Sequence, residues 1–270
     1  MHKYKTLALL SLSVAALFAC DKNGVQGITD PASGARVKFF NFGVTAPGVN
    51  FYANAVKMTA ISATACQPPN DTTTVCRTTG NESTTGVVYP AAGNGALYVE
   101  TPPGQVTLSG KIAATVDKDL AIANVAATLE DGKFYSYYIS GIYDATAKKV
   151  DAFVVEDPVP PPTNDFSQAY VRLVNASSNS QPMTLFAKST LTGNEVAIGT
   201  IVAYKAAGAF VAVPAGVYDL STRTSGSTTN VATLAAASFV GGHVYTVAVR
   251  GDAVSTVTAN KPALSNNANR

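Results

Sequence analysis

The sequence has no tryptophan, only two histidines and three cysteines in 270 residues, and charge at just 13% of positions. Globular chains average about 25% charged residues, so this surface must rely on hydroxyl and amide side chains. Two histidines exclude a multi-histidine metal centre and leave little for general acid–base chemistry. No G-x-S-x-G turn is present, which excludes the usual serine-hydrolase elbow. Neither sign of charge dominates: 19 basic residues face 17 acidic ones, for a formal net charge of +2. A nucleic-acid binder needs clustered Lys and Arg to neutralise phosphates, so no nucleic-acid partner is expected. The length allows one large or two modest cores.

What is present begins with an address. Lys3 and Lys5 precede the mostly apolar run Thr6 to Leu17, which is too short to span a bilayer that needs about 20 apolar residues. Residues 1–19 therefore read as a secretory signal peptide. Its end, Leu17-Phe18-Ala19-Cys20, resembles the bacterial lipobox, with Phe18 the least typical member. That resemblance implies cleavage before Cys20 and a lipid-bearing cysteine, so membrane lipid is the first expected partner. Each buried lipid CH₂ contributes about 0.8 kcal/mol, and several acyl chains anchor together. Cleavage would remove Lys3, Lys5 and His2, leaving balanced charge and His243 as the one imidazole. The expected location is the bacterial cell envelope, on the periplasmic face or the cell surface.

Cys66 and Cys76 bracket the turn-forming stretch QPPNDTTTV. Disulfides persist in exported proteins, and closing so short a loop stabilises a fold by roughly 2–3 kcal/mol. The spacing is not that of a redox CxxC motif. A structural staple is the expectation.

A proline-rich segment, residues 156–168, divides the chain, and similar blocks recur on its two sides. Val37-Lys38-Phe39-Phe40-Asn41 matches Val171-Arg172-Leu173-Val174-Asn175. Tyr98 to Leu108 matches Phe210 to Leu220, each with Pro-x-Gly at Pro102/Gly104 and Pro214/Gly216. Gly132-Lys133-Phe134-Tyr135 with Gly141 matches Gly242-His243-Val244-Tyr245 with Gly251. Within the blocks, apolar and polar residues alternate with period two, as in half-buried strands. Asp117 to Leu129 could be argued as helical, but its counterpart Asn230 to Phe239 is rich in strand formers, so both read as strands.

The order VRLVNAS (Val171 to Ser177), Pro214-Ala215-Gly216, then Gly242-His243-Val244-Tyr245-Thr246 resembles the family of bacterial exported proteins catalogued as domain of unknown function 4397. The first half fits more loosely, with Phe42-Gly43 for Ala-Ser and Ser136 for Thr. The resemblance implies tandem immunoglobulin- or transthyretin-like β-sandwich domains, all-β in class, and supplies no catalytic residue. The expected division is signal peptide 1–19, anchor linker 20–34, and a first sandwich at 35–155 with an inserted disulfide loop. A linker at 156–168, a second sandwich at 169–258 and a disordered tail at 259–270 complete it.

Chemistry is harder to find. His243 follows a turn glycine, and Lys133 takes its place in the first copy, so it reads as a solvent-facing turn residue. Asp117 and Asp119 could share a calcium site, which needs only oxygen ligands. Carboxylates at i and i+2 usually just face water, so calcium has no support in the sequence and no cofactor or metal site is assigned. The densest aromatic group is Tyr135, Tyr137, Tyr138 and Tyr143. Strand alternation sends Tyr138 to the face opposite Tyr135 and Tyr137, which makes it the candidate ligand contact. The functional expectation is a lipid-anchored, non-enzymatic structural or protein-interaction module. A glycan- or other envelope-ligand-binding lipoprotein is the second reading and an uncharacterised hydrolase the third.

Overall fold

The alternating segments form strands throughout the structure, a computed structural model that describes residues 33–59 and 85–270. The expected signal peptide, lipid-attachment residue Cys20 and Cys66–Cys76 staple lie outside the described residues. The first half contributes β1 (Ala35–Asn41), β2 (Val49–Ala53), β3 (Val56–Lys57), β4 (Ala91–Ala92) and β5 (Val99–Thr101). It continues with β6 (Gly104–Ile112), β7 (Ala121–Leu129), β8 (Phe134–Asp144) and β9 (Lys149–Glu156). The second half contributes β10 (Gln168–Asn175), β11 (Met183–Ser189), β12 (Glu195–Val202), β13 (Ala206–Ala207) and β14 (Val211–Pro214). It ends with β15 (Gly216–Thr224), β16 (Ala232–Phe239), β17 (Val244–Arg250) and β18 (Ala263–Ala268). The protein is all-β, as its sequence pattern predicts.

The two halves share one strand order. One sheet of the first half runs β4-β1-β8-β9, with β5 also on β1, and the other runs β3-β2-β6-β7. The second half repeats this as β13-β10-β17-β18, with β14 on β10, and as β12-β11-β15-β16. Among the described residues each half therefore has a single parallel strand pairing, β1 with β8 and β10 with β17, in equivalent register: Val37 opposite Tyr135, Val171 opposite Tyr245.

The recurrent motifs have local physical reasons. The Tyr135 hydroxyl accepts the Glu130 N–H at 3.0 Å, and the Tyr245 hydroxyl accepts the Val240 N–H at 3.0 Å. Each tyrosine thus pins the turn entering its strand. That turn places Gly132 and Gly242 at φ of 73° and 78°, where a Cβ would be strained. Asn41 and Asn175 accept the N–H two residues on, at 3.3 and 3.1 Å, and donate to the carbonyls of Val87 and Val202. These buried amides fasten the end of the first strand to the facing loop.

Each half has its own apolar interior. Phe39, Phe51, Leu108, Leu129 and Tyr137 fill the first, where the rings of Phe39 and Phe51 stack at 5.2 Å. Leu173, Leu185, Leu220, Phe239 and Val247 fill the second. A third cluster belongs to both halves at once: Phe40, Phe42, Tyr138 and Phe153 meet Val174, Ala176 and Ala248. The two sandwiches accordingly lie against each other through β1, β8, β9, β10 and β17, all within the unit Gly34–Arg270.

The C-terminal expectation is corrected. Residues 259–270 are not a disordered tail, because β18 pairs antiparallel with β17 from Arg250↔Ala263 to Tyr245↔Ala268. This strand supplies in the second half what β9 supplies in the first, and Leu264 is buried in the second core. The second sandwich thus extends past residue 258. The first also runs beyond its expected end, since Glu156 still pairs with Tyr135 and Asp157 is buried.

Candidate functional site: a polar clamp between the sandwiches

Lys38 and Arg172 occupy matching positions in the first strand of each half, with side chains on the face away from that half's own core. Ordinarily such a face meets water. Here Lys38 is 2% exposed and Arg172 1%. An unpaired buried charge is very costly, so each must find partners, and it finds them across the interface.

Arg172 reaches into the first sandwich. Its Nη1 donates to the Glu156 carbonyl at 2.9 Å, and its Nη2 forms an ion pair with Asp157 Oδ1. Within its own half, Nε donates to Thr246 Oγ1 at 3.0 Å, and the guanidinium lies 4.6 Å from the centre of the Phe210 ring. The other Asp157 oxygen accepts the hydroxyls of Ser136 and Tyr98, each at 2.7 Å. Every charge in this set is hydrogen-bonded, the condition under which a buried pair is tolerated.

Lys38 reaches the opposite way. Its ammonium donates to the Ala268 carbonyl and sits 4.4 Å from the centre of the Tyr98 ring. Asn269 Nδ2 donates to the Tyr98 hydroxyl at 2.7 Å, while Asn269 Oδ1 accepts from Thr246 Oγ1 at 2.7 Å. Tyr135 pairs with Glu156 and Tyr245 with Ala268, so Glu156 and Ala268 hold equivalent positions, as do Asp157 and Asn269. The clamp is therefore two-fold in plan: a cation from each first strand binds the main chain at the end of the other half's last strand.

The chemistry departs from that symmetry. Arg172 meets a carboxylate, whereas Lys38 has only a carbonyl, a ring and a nearby amide. Burial lowers the Lys38 pKa to about 8, partly opposed by Asp157 and reinforced by Arg172. Burial also raises the Tyr98 pKa, with the Asp157 charge and its hydrogen bond adding to the shift. Tyr98 thus holds its proton as a donor to Asp157.

The interface has a second set of contacts at the other end of the strands. Ser140 and Tyr204 hydroxyls lie 2.9 Å apart, Lys205 pairs with Asp151 at 2.8 Å, and Arg250 Nη1 donates to the Tyr89 hydroxyl at 3.3 Å. Ser140 is buried, but the Lys205–Asp151 pair is solvent-exposed, and such ion pairs typically contribute under about 1 kcal/mol.

Tyr138, the candidate ligand contact, is corrected. It does face away from Tyr137, but onto the other sandwich, where it stacks between Phe40 at 4.6 Å and Phe153 at 5.1 Å and is fully buried. No ligand can touch it without opening the interface. His243 is exposed in the turn before β17. Asp117 pairs with Lys148 at 2.6 Å, and among the described residues no three His, Cys, Asp or Glu side chains gather as a metal would require. The clamp residues are not marked as a group in the sequence. Their one sequence signal is a charge at the same place in two apolar runs, Val37 to Phe40 and Val171 to Val174.

Residues 169–269 match the family described as a domain of unknown function, DUF4397. The match reaches through β18, in agreement with the strand found there. No curated protein matches the chain. Among solved structures, the chain is similar to the Bacillus anthracis TIE protein at 12% identity and a TM-score of 0.21. That alignment covers 81% of this chain and 34% of the other, so the chain spans about a third of that protein's length. A candidate cell adhesion protein from Bacteroides ovatus is similar at 10% identity and a TM-score of 0.23, covering 88% of this chain and 96% of that one.

Proposed function

We propose that the protein is a lipid-anchored component of the bacterial cell envelope, a non-enzymatic interaction module in which two related sandwiches act as one rigid body. The observation that carries this reading is the clamp. The charged side chains Lys38, Arg172 and Asp157 are spent on contacts between the halves and are almost wholly shielded from solvent. The shared strand order supports a second, diverged copy of the same family in the first half.

Geometry also supports a direction of presentation. The chain arrives at Gly34, held by the Asp131 carboxylate beside the turn that starts β8. At the other end of the strands, loops expose Val88, Val116, Val254 and Val257, and the end of β8 exposes Ile142. The segment carrying Cys66 and Cys76 rejoins the described chain at Thr85, whose carbonyl lies against Gly48 at that far end. An anchor at Cys20 would therefore direct these loops away from the membrane.

Two measurements test this. Metabolic labelling with a clickable fatty acid should mark the protein and vanish in Cys20→Ala; undiminished labelling rejects the anchor. A photo-crosslinking residue at Val254 of the full chain, in intact envelopes, should give discrete protein adducts. Absence of such adducts, with the anchor in place, rejects the interaction role.

A second reading, glycan binding, has one observation in its favour. The outer sheets of both halves repeat a cation over an aromatic ring: Lys111 4.3 Å from Tyr52, and Arg223 4.5 Å from Phe186. Beside the second pair, Arg223 forks onto Glu195 at 2.6 and 2.7 Å near Asn230 and Asp219 in a shallow depression. Saturable binding on a glycan array, lost in Phe186→Ala, would favour it over protein contact.

A further inference from the structure

The end of the second sandwich where β10, β15 and β17 begin carries apolar side chains that the fold does not need. Leu191 is 92% exposed, Phe166 70%, Val240 51% and Val217 41%. They form one surface. Thr190 donates its N–H to the Val217 carbonyl at 3.0 Å, which sets Leu191 beside the start of β15. Ala215 donates to the Ser167 carbonyl at 2.8 Å, bringing Phe166 to the same turn. The Phe166 ring in turn lies over Gly242, where an added Cβ would stand 3.1 Å from it, and Val240 is two residues away. A groove of about 550 Å³ runs along this surface between Leu191, Val196, Pro214 and Val217.

Comparison with the first half shows which part is extra. There, β2 turns into β3 through Asn54 and Ala55, with Ala53 pairing Val56. In the second half the corresponding turn is longer, spanning Ser189 to Glu195, and Leu191 sits on the added length. Water-facing positions at the tip of an optional turn have no packing reason to be Leu. Two charges nearby are occupied: the Asp165 carboxylate accepts the N–H and hydroxyl of Ser167, and Arg270 binds the carbonyls of Pro160 and Pro161.

We propose that this apolar crown contacts lipid, seating the second sandwich in the interfacial layer of the membrane that holds the anchor. The inference rests on the Cys20 reading, and the position of the crown is what selects lipid over another occupant. Gly34 emerges at the same end of the strands as the crown. Residues 21–33 separate it from Cys20, a span that could extend no farther than about 50 Å. An acylated Cys20 therefore holds this end, rather than the far one, within that tether length of the bilayer. Apolar side chains on protruding turns can enter the headgroup layer to a depth of about 5–10 Å.

The absence of tryptophan provides the test. In the full acylated chain, Leu191→Trp and, separately, Phe166→Trp each introduce a lone indole at the crown. Val116→Trp places one at the far end, where residue 116 is 77% exposed. Each is reconstituted in phosphatidylethanolamine–phosphatidylglycerol vesicles containing brominated acyl chains. Crown emission should shift to the blue and be quenched at least about two-fold more than that of Val116→Trp, given that depth. Equal or weaker quenching at both crown positions overturns the proposal, as does a blue shift that depends on protein concentration without lipid, which would mark a second copy as the occupant. Fatty-acid content of the same samples, read by mass spectrometry, reports on the anchor independently. Should the chain prove unacylated, the same quenching comparison on vesicles mixed with it decides the crown alone.

Discussion

The Arg172 and Lys38 halves of the clamp occupy the same place in the same fold and solve one problem differently. Arg172 delivers two N–H groups to Glu156 and Asp157 and a third to Thr246. Lys38 delivers its charge to one main-chain carbonyl and an aromatic face. A planar, forked guanidinium suits a carboxylate, whereas a compact ammonium makes one good contact and remains incompletely compensated. The duplicated frame thus tolerates either cation, while the electrostatic strength of the interface is concentrated in one half.

The largest test removes one end of the comparison. Deleting residues 262–270 takes away β18 and Asn269 and leaves their counterparts β9 and Asp157 in place. Six register pairs and buried Leu264 are lost, a loss on the order of 5 kcal/mol at about 1 kcal/mol per hydrogen bond. Amide exchange in β10 and β17 should accelerate far more than in β1 and β8. Uniform or negligible acceleration would show that β18 is peripheral.

Next comes the asymmetry itself. Arg172→Ala strands the Asp157 carboxylate in the interior and should lower stability by about 3–5 kcal/mol. Lys38→Ala at neutral pH should lower it by less than about 1 kcal/mol, because relief of a buried ammonium offsets the lost contact. Denaturant midpoints for the two variants should therefore differ widely. Equal losses would mean that the interface does not distinguish its two cations.

The smallest effect lies in pH. Lys38 titrates near 8 in the folded protein and near 10.4 when unfolded. Between those values the unfolded chain binds more protons, so stability should climb with pH, by up to about 3 kcal/mol from this group. Above pH 10 the slope should reverse, because buried Tyr98, Tyr137 and Tyr138 keep their protons in the fold while the unfolded phenols lose theirs. Lys38→Met should flatten the rise and leave the fall. A rise of full size in that variant would assign it to another group.

Much of the frame was legible in the residues. Alternation in Tyr135 to Ile139 and the Pro-x-Gly turns mark strands because a half-buried pleat has period two. The repeat showed itself wherever a motif does the same local work twice, as Tyr135 and Tyr245 do on their turns. β18 was missed because its sequence, ALSNNA, is polar and looks like a tail. Its asparagines sit beside the clamp, where amide groups rather than apolar ones are wanted, and only the existence of β9 in the first half signals it. Strand alternation puts Tyr138 on the correct face, but alternation alone does not tell a face that meets a second sandwich from one that meets solvent. The run Phe39-Phe40-Asn41-Phe42, apolar at nearly every position, is what a strand buried on both sides looks like. The interface was otherwise invisible, since nothing in one half's pattern names the surface it will meet.

The segment from Asp157 to Ser167 has a consequence beyond joining two folds. Two free partners sharing only a small apolar patch and a clamp would have to overcome the loss of translational freedom at each encounter. A short covalent tether replaces bulk concentration by a local one on the order of millimolar. Association between the halves then stays independent of how few copies of the protein an envelope contains, and each face is free to diverge from the other because it never has to match a copy of itself.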